Sequence, residues 1–392
     1  MEESLGWSRT TLSWALTIKA LCGMSIGPLL GPLLDKKHGP RLIMTLGGLI
    51  LGISIILSGV VTEVWQFYLF FGLGYGVSSA MTSTDIVTPT IVSKWFIRLR
   101  GRALAISVMG ISLGGLFFIP IASFMVLTFG WREAWYTLGI IALFLVVPTS
   151  FIFIRRAPED IGLVPDGINF AEKLRSSYAL GLFNSPAPVT SKGEISWSLK
   201  GALHTPTLWI MVLTFSIGTA GLGGFIVHAI PFMTDNGYSD VTASAYLVVF
   251  SVVAGVVKPV WGFLGEKIPV RYLLGFAFGI SATGMLLLSW LDGGLFMGVV
   301  LIAYGIGAGA FVPLMNLMWA NYYGRDSLGS IRGVFLPVTQ VILAISPLFS
   351  GYVFDTVGTY APAFLIFGLL FGFGMVAILV AKPPTERFTR TV

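Results

Sequence analysis

Charge is scarce in this sequence: Asp, Glu, Lys and Arg make up 11% of 392 residues, with three histidines and one cysteine. The lone Cys22 excludes an internal disulfide and a cysteine-ligated metal. No Gly-rich phosphate loop with its lysine, no His/Glu metal spacing and no Ser/His/Asp arrangement stands out. The sequence therefore points to no enzyme and to no cofactor. Without an ATP-binding motif, any transport it performs draws on ion or solute gradients. One long polar stretch exists, 155–205, and it is too short for a soluble sensor domain.

What is abundant is apolar. At 55% hydrophobic residues and a mean hydropathy of +0.86, the chain carries more apolar surface than one water-soluble core of this length can hide. Runs of about 20 residues, each able to span ~30 Å of hydrocarbon, recur between short polar connectors. Helices are the default, because lipid offers no partner to an unpaired backbone group. The expected fold class is an all-α polytopic membrane protein with eleven transmembrane helices. Their expected ranges are 11–34, 41–61, 65–90, 102–126, 132–154, 208–233, 242–263, 270–290, 295–319, 331–353 and 360–381.

The sequence repeats itself at a shift of 231. Gly6-Trp7-Ser8 matches Gly237-Tyr238-Ser239, "GPLLDKK" from Gly31 matches "GFLGEK" from Gly262, Asp85 falls on Asn316 and Lys94 on Arg325. Two parallel halves are expected, 1–154 and 206–392, joined by the linker 155–205. The second half has a helix, 208–233, before its Gly237. The shift places a counterpart before residue 1, so the first helix reads as missing through a mis-assigned start or a truncated gene model.

Basic residues fall on alternate connectors: Lys36, Lys37 and Arg41; Lys94, Arg98, Arg100 and Arg102; Arg155, Arg156, Lys173, Arg175, Lys192 and Lys200; Lys267 and Arg271; Arg325 and Arg332; Lys382, Arg387 and Arg390. The other connectors carry Glu63, Arg132, Glu133, Asp235, Asp240, Asp292 and Asp355. By the positive-inside rule the first set is cytoplasmic, with the C-terminus on that side and the protein in the cytoplasmic (inner) membrane. The net charge of +6 then serves topology and anionic lipid, not nucleic acid.

"GPLLDKKHGPR" (31–41) resembles the signature between helices 2 and 3 of the major facilitator superfamily, with one extra residue between Asp35 and Gly39, and "GFLGEKIPVR" (262–271) resembles its degenerate second copy. The resemblance implies two six-helix bundles rocking about a central site. It also implies a conformational latch at Asp35, Lys36, Arg41, Glu266, Lys267 and Arg271, with Asp35 meeting the positive end of another helix. "KWFIRLRGRALAIS" (94–107), "FGWREAWYTLG" (129–139), "RRAPEDIGLVPDG" (155–167) and "HAIPFMTDNGYSDVTA" (228–243) together resemble bacterial members of the monocarboxylate porter and oxalate/formate antiporter group. This implies carriage of small carboxylates with a proton or by anion exchange.

Four ionisable residues fall inside expected membrane helices, where charge is costly and usually functional: Lys19, Asp85, His228 and Lys258. Lys258 lies ~12 Å along a helix from Glu266, and the resemblance puts it where the porter family holds the substrate carboxylate with arginine. His228 lies at the place of a substrate-contacting histidine, and reads equally as a hydrogen-bonded wall residue. Asp85 is a proton site or a part of the latch, and its non-titrating repeat partner Asn316 favours the latch. Lys19 is expected to snorkel, while Tyr75 and Tyr304 are candidate cavity residues. The expected function is proton-coupled transport of lactate- or pyruvate-like monocarboxylates. The competing readings are carboxylate exchange, for which a second cavity cation is wanting because Arg332 sits at a helix end, and cation or drug export. Expected partners are the carboxylate, a proton and the bilayer, with a monomer as the working state.

Overall fold

A computed structural model describes residues 2–7, 9–167, 196–290 and 296–384. The middle of the linker with Lys173, Arg175 and Lys192, the connector residue Asp292, and Arg387 and Arg390 lie outside the described residues. In chain order the main helices are α1 (Arg9–Leu34), α2 (Gly39–Gly59), α3 (Tyr75–Met81, entered through π-helical Tyr68–Gly74), α4 (Val87–Trp95), α5 (Arg100–Thr128), α6 (Trp131–Phe153) and α7 (Pro206–Ile226). They continue with α8 (Ala229–Asp235), α9 (Asp240–Val256), α10 (Lys258–Gly265), α11 (Val270–Leu288), α12 (Phe296–Tyr323), α13 (Leu328–Val357) and α14 (Ala361–Val380). Among the described residues nine helices are long and apolar enough to cross a bilayer, α9 and α10 counting as one span. The expected segment 65–90 is a helix in pieces, and 102–126 falls within α5.

A proline stands just after each of three breaks. A proline lacks the N–H that would bond the carbonyl four residues earlier, and its ring pushes that carbonyl away. Pro89 does this to Asp85, between α3 and α4; Pro231 to Val227, between α7 and α8; Pro259 to Gly255, between α9 and α10. Asp85, His228 and Lys258, three of the four intramembrane ionisable residues, therefore stand at or beside helix breaks, where freed backbone groups need partners.

Two seams join the first six helices to the rest, and both are made by glycine. A Cβ on Gly31 would lie 2.6 Å from the Gly329 carbonyl oxygen, and one on Gly333 would lie 2.7 Å from that of Gly27, so α1 and α13 touch backbone to backbone. Gly101 of α5 and Gly262 of α10 oppose each other's carbonyls in the same way. Small residues at such crossings let helices approach where lipid gives no hydrophobic drive. Both seams lie at the end of the molecule that carries Lys36, Lys37, Lys267 and Arg271, here the basic end. Further along α5, a Cβ on Gly110 would meet nothing within 4 Å.

The larger core lies among α7 to α14, with α7 and α12 most enclosed and the rings of Phe225, Phe250, Phe278, Tyr304, Phe311 and Phe371 packed at its centre. Helices α13 and α14 both pack on α7. Among the described residues α6 packs chiefly on α2 and α5 on α10, α6 and α12, and much of α6 is exposed.

Gly101→Val places a methyl-bearing carbon against a backbone oxygen that no rotamer change can relieve. The variant is expected to lose transport and to melt at a lower temperature in detergent. Gly110→Val on the same helix should leave both unchanged, and equal effects from the two would remove the seam's special role.

Candidate functional site

At the basic end each seam is closed by a carboxylate. Asp35, just after α1, accepts a hydrogen bond from Lys94 Nζ at 2.7 Å on one oxygen. Its other oxygen accepts from the Ser330 backbone N–H at 3.0 Å and hydroxyl at 2.7 Å. Glu266, just after α10 and the repeat partner of Asp35, accepts from the Arg102 backbone N–H at 2.9 Å and from Arg102 Nε at 2.8 Å. Ser330 and Arg102 lie in the first turns of α13 and α5. Each carboxylate thus crosses a seam to meet unpaired N–H groups and the positive end of the opposite helix. Burial pushes the Lys94 ammonium below the ordinary lysine range and the Asp35 charge pulls it back up.

The linker's first residues clamp this end. Arg156 donates to the Asp35 carbonyl at 3.1 Å and pairs with Asp160 at 2.7 Å. Glu159 pairs with Arg325 at 2.5 Å, and Arg325 donates to the carbonyl of its repeat partner Lys94 at 2.9 Å. The Asp166 carboxylate collects the backbone N–H groups of Ile97, Arg98 and Leu99 ahead of α5. The remaining sequence-predicted latch residues are not joined to the two carboxylates. Lys36 is exposed, Arg41 donates to the Phe151 carbonyl at 2.6 Å, and Lys267 and Arg271 lie over the Phe263 and Tyr272 rings.

The polar centre lies deeper, around Arg332, the fifth residue of α13 and buried. One guanidinium nitrogen donates both to the Asp85 carbonyl, the one Pro89 leaves without a helical donor, and to Asn316 Oδ1 at 2.6 Å. Asp85 and Asn316, a repeat pair, so meet on one nitrogen. Two donors beside them, Arg332 Nη1 and Asn316 Nδ2, are buried and have no hydrogen-bond partner among the described residues. Both residues line a cavity of about 220 Å³ with Asp85, Thr219, Thr339 and Gln340. A second cavity, about 450 Å³, shares Asp85, Leu336, Gln340 and Leu343 with it and adds Lys19, Ser79, Ser83 and Thr84. The Asp85 carboxylate stands where the two meet and accepts one hydrogen bond, from Gln340 Nε2 at 3.2 Å.

Asp85 and Asn316 are thus brought together; Tyr75 lines neither cavity, but its ring lies 4.3 Å from Lys19 Nζ. Lys19 does not snorkel: it lines the second cavity. Tyr304 is fully buried among the aromatic rings of the core. His228 lines neither cavity. Its Nε2 lies 2.9 Å from the Pro347 carbonyl and its Nδ1 3.2 Å from the Tyr360 hydroxyl. A neutral imidazole there donates from Nε2 and accepts at Nδ1. Burial, together with Asp235 and Asp355, pushes the Tyr360 hydroxyl up and keeps it a donor. Lys258 also lines neither cavity; it stands one turn from Gly262, on the side of α10 that faces α5. Sequence reasoning set aside Arg332 and Lys19 and did not single out Gln340. The signal for the first was Pro89, which announces a bare carbonyl at Asp85 that needs a buried donor.

The family model described as Major Facilitator Superfamily matches residues 1–345 and 224–391. Monocarboxylate transporter 13 of Bos taurus is 24% identical over 374 residues, covering 94% of this chain and 80% of that protein. Monocarboxylate transporter 12 of Rattus norvegicus is 24% identical over 391 residues, covering 97% and 79%. Among solved structures, the proton:xylose symporter XylE bound to 6-bromo-6-deoxy-D-glucose superposes with a TM-score of 0.73 at 12% identity, covering 96% of this chain and 87% of that one.

The two seam carboxylates are both mostly buried, but their basic partners differ in burial, which gives a comparison. The Lys94 side chain is 5% exposed and that of Arg102 47% exposed. Removing one partner of a buried pair costs about 3–5 kcal/mol, whereas an exposed pair is worth about 0–1 kcal/mol. Asp35→Asn should therefore lower the melting temperature more than Glu266→Gln, measured in the same detergent. The reverse order would mean that the backbone N–H bonds, not the ion pairs, dominate.

Proposed function

Because the chain belongs to the major facilitator superfamily, and is a multi-pass membrane transporter rather than an enzyme, we propose that it carries small monocarboxylates such as lactate or pyruvate together with a proton. The halves 1–154 and 206–392 rock about the central cavities. The basic end and C-terminus face the cytoplasm from the cytoplasmic membrane, and the seam carboxylates Asp35 and Glu266 hold that side shut.

The observation that carries the reading is the pair of unpartnered donors, Arg332 Nη1 and Asn316 Nδ2, on the cavity of about 220 Å³. Buried N–H groups without acceptors are costly and call for one. A carboxylate satisfies both at once, and a guanidinium suits a planar, two-oxygen acceptor. That the relatives named above are monocarboxylate transporters supports the choice of ligand. Lys258, on the α5 face of α10, is a further cation outside the two cavities, and His228 is held by Pro347 and Tyr360.

One observation favours a second reading. Lys19 lines the cavity contiguous with that of Arg332, which supplies the second cation that exchange of a dicarboxylate for a monocarboxylate calls for.

Uptake of labelled lactate into proteoliposomes under an inward proton gradient tests the proposal. Arg332→Gln is expected to lower uptake at least about tenfold, the loss of one charge-assisted bond worth ~1.5–3 kcal/mol, and Lys258→Gln to lower it less. Wild-type uptake by the Arg332 variant would dismiss the anchor. Uptake only into vesicles preloaded with oxalate would select the exchange reading.

A further inference from the structure

Asp85 is a carboxylate that the seams do not use. Its backbone carbonyl is held by Arg332, but among the described residues its side chain has a single hydrogen bond, from the neutral amide of Gln340 at 3.2 Å. Among the described residues it forms no ion pair; the described pairs join Lys94 to Asp35, Arg102 to Glu266, Arg156 to Asp160 and Arg325 to Glu159. The charged groups facing it are Arg332 from α13 and, across the larger cavity, Lys19 from α1. From α7 and α12 it meets neutral Thr219 and Asn316, and from α3 and the break Ser79, Ser83 and Thr84.

We propose that Asp85 is the proton-carrying group, protonated when a substrate carboxylate occupies Arg332 and ionised when it does not. The proposal rests on the carboxylate reading of Arg332. With the cavity free of substrate, the nearby guanidinium compensates the Asp85 charge. A substrate anion bound at Arg332 neutralises that guanidinium and adds a negative charge within the same enclosed space, so an ionised Asp85 loses its compensation. Like charges sharing a buried site favour protonation of one of them. Asp85 then takes one proton from water in the cavity it shares with Lys19: one O–H bond forms on a carboxylate oxygen and hydronium returns to water. Loaded with one anion and one proton, the centre carries the same net charge as when empty, so the anion and its proton together add no charge to it. When the substrate leaves on the other side, Arg332 is free again and the proton follows. Because linkage is reciprocal, the proton raises affinity for the anion by the factor that the anion raises affinity for the proton.

The break at Pro89 suits this role. The carbonyl of Asp85 is fixed to Arg332, so the group that titrates is kept beside the group that binds substrate. Broken helices supply such sites in many carriers.

Asp85→Asn in proteoliposomes separates this from a structural role through two readouts, lactate accumulation driven by a proton gradient and lactate/lactate counterflow without one. The expected result is loss of accumulation by at least about tenfold with counterflow kept within about threefold, since exchange needs no net proton movement. Accumulation at the wild-type level would overturn the proposal. If both readouts fail, Asp85→Glu decides: accumulation regained with a displaced pH profile supports proton carriage, and continued failure of both in a variant that melts like the wild type assigns Asp85 to structure. Absence of lactate counterflow in the wild-type protein would instead reject the carboxylate reading itself.

Discussion

A buried guanidinium is the constraint around which this molecule is arranged. Arg332 stands between helices, away from water, and a charge in such a place persists only if its N–H groups are met. Two acceptors are brought to it, one from each half of the sequence repeat: the Asn316 side chain from α12 and the Asp85 carbonyl from the break between α3 and α4. The second exists because Pro89 cannot donate to that carbonyl. Two donors are left over, Nη1 of Arg332 and Nδ2 of Asn316, on residues that line the adjoining cavity.

The same helix ties this centre to the closed end. Ser330, which gives Asp35 both its N–H and its hydroxyl, lies two residues before Arg332 on α13, and Gly329 and Gly333 on either side let α1 lie against the helix backbone. A movement that separates α1 from α13 has to strip Asp35 from the first turn of α13 and displace Arg332 in the same motion. Closure and the polar centre are thereby mechanically one element, which alternating access needs if occupancy is to bias which side is open. The other seam, through Glu266 and Arg102, repeats the helix-end contact.

Much of this was legible in the sequence. Composition and run length announce membrane helices, the shift of 231 pairs Asp85 with Asn316 and Lys94 with Arg325, and "GPLLDKKHGPR" marks Asp35. Depth arithmetic is where legibility ended. Counting residues from a charged connector put Arg332 at a helix end and left Lys19 free to snorkel, because such counting treats a helix as standing alone in lipid. Whether an arginine near a helix start is wet depends on its neighbours, and here two glycines draw α1 in and bury it. Lys19 likewise turns inward over the Tyr75 ring. Among the predicted contacts, His228 and Lys258 were placed by family pattern, and neither lines the two cavities.

The two repeats divide labour through a single substitution pattern. At the shift of 231, Asp85 and Pro89 of the first copy correspond to Asn316 and Ala320 of the second. The second copy, with Ala320 where the first has Pro89, lies in α12, which runs unbroken from Phe296 to Tyr323, and offers Arg332 a side chain that cannot titrate. With proline, the first copy is broken, offers a backbone carbonyl instead, and keeps its carboxyl free of that duty. If both positions were aspartate in unbroken helices, each carboxylate would be drawn to the guanidinium and the substrate's place would be taken. The asymmetry leaves one half as a fixed acceptor wall and gives the other an acid that remains available to change its charge.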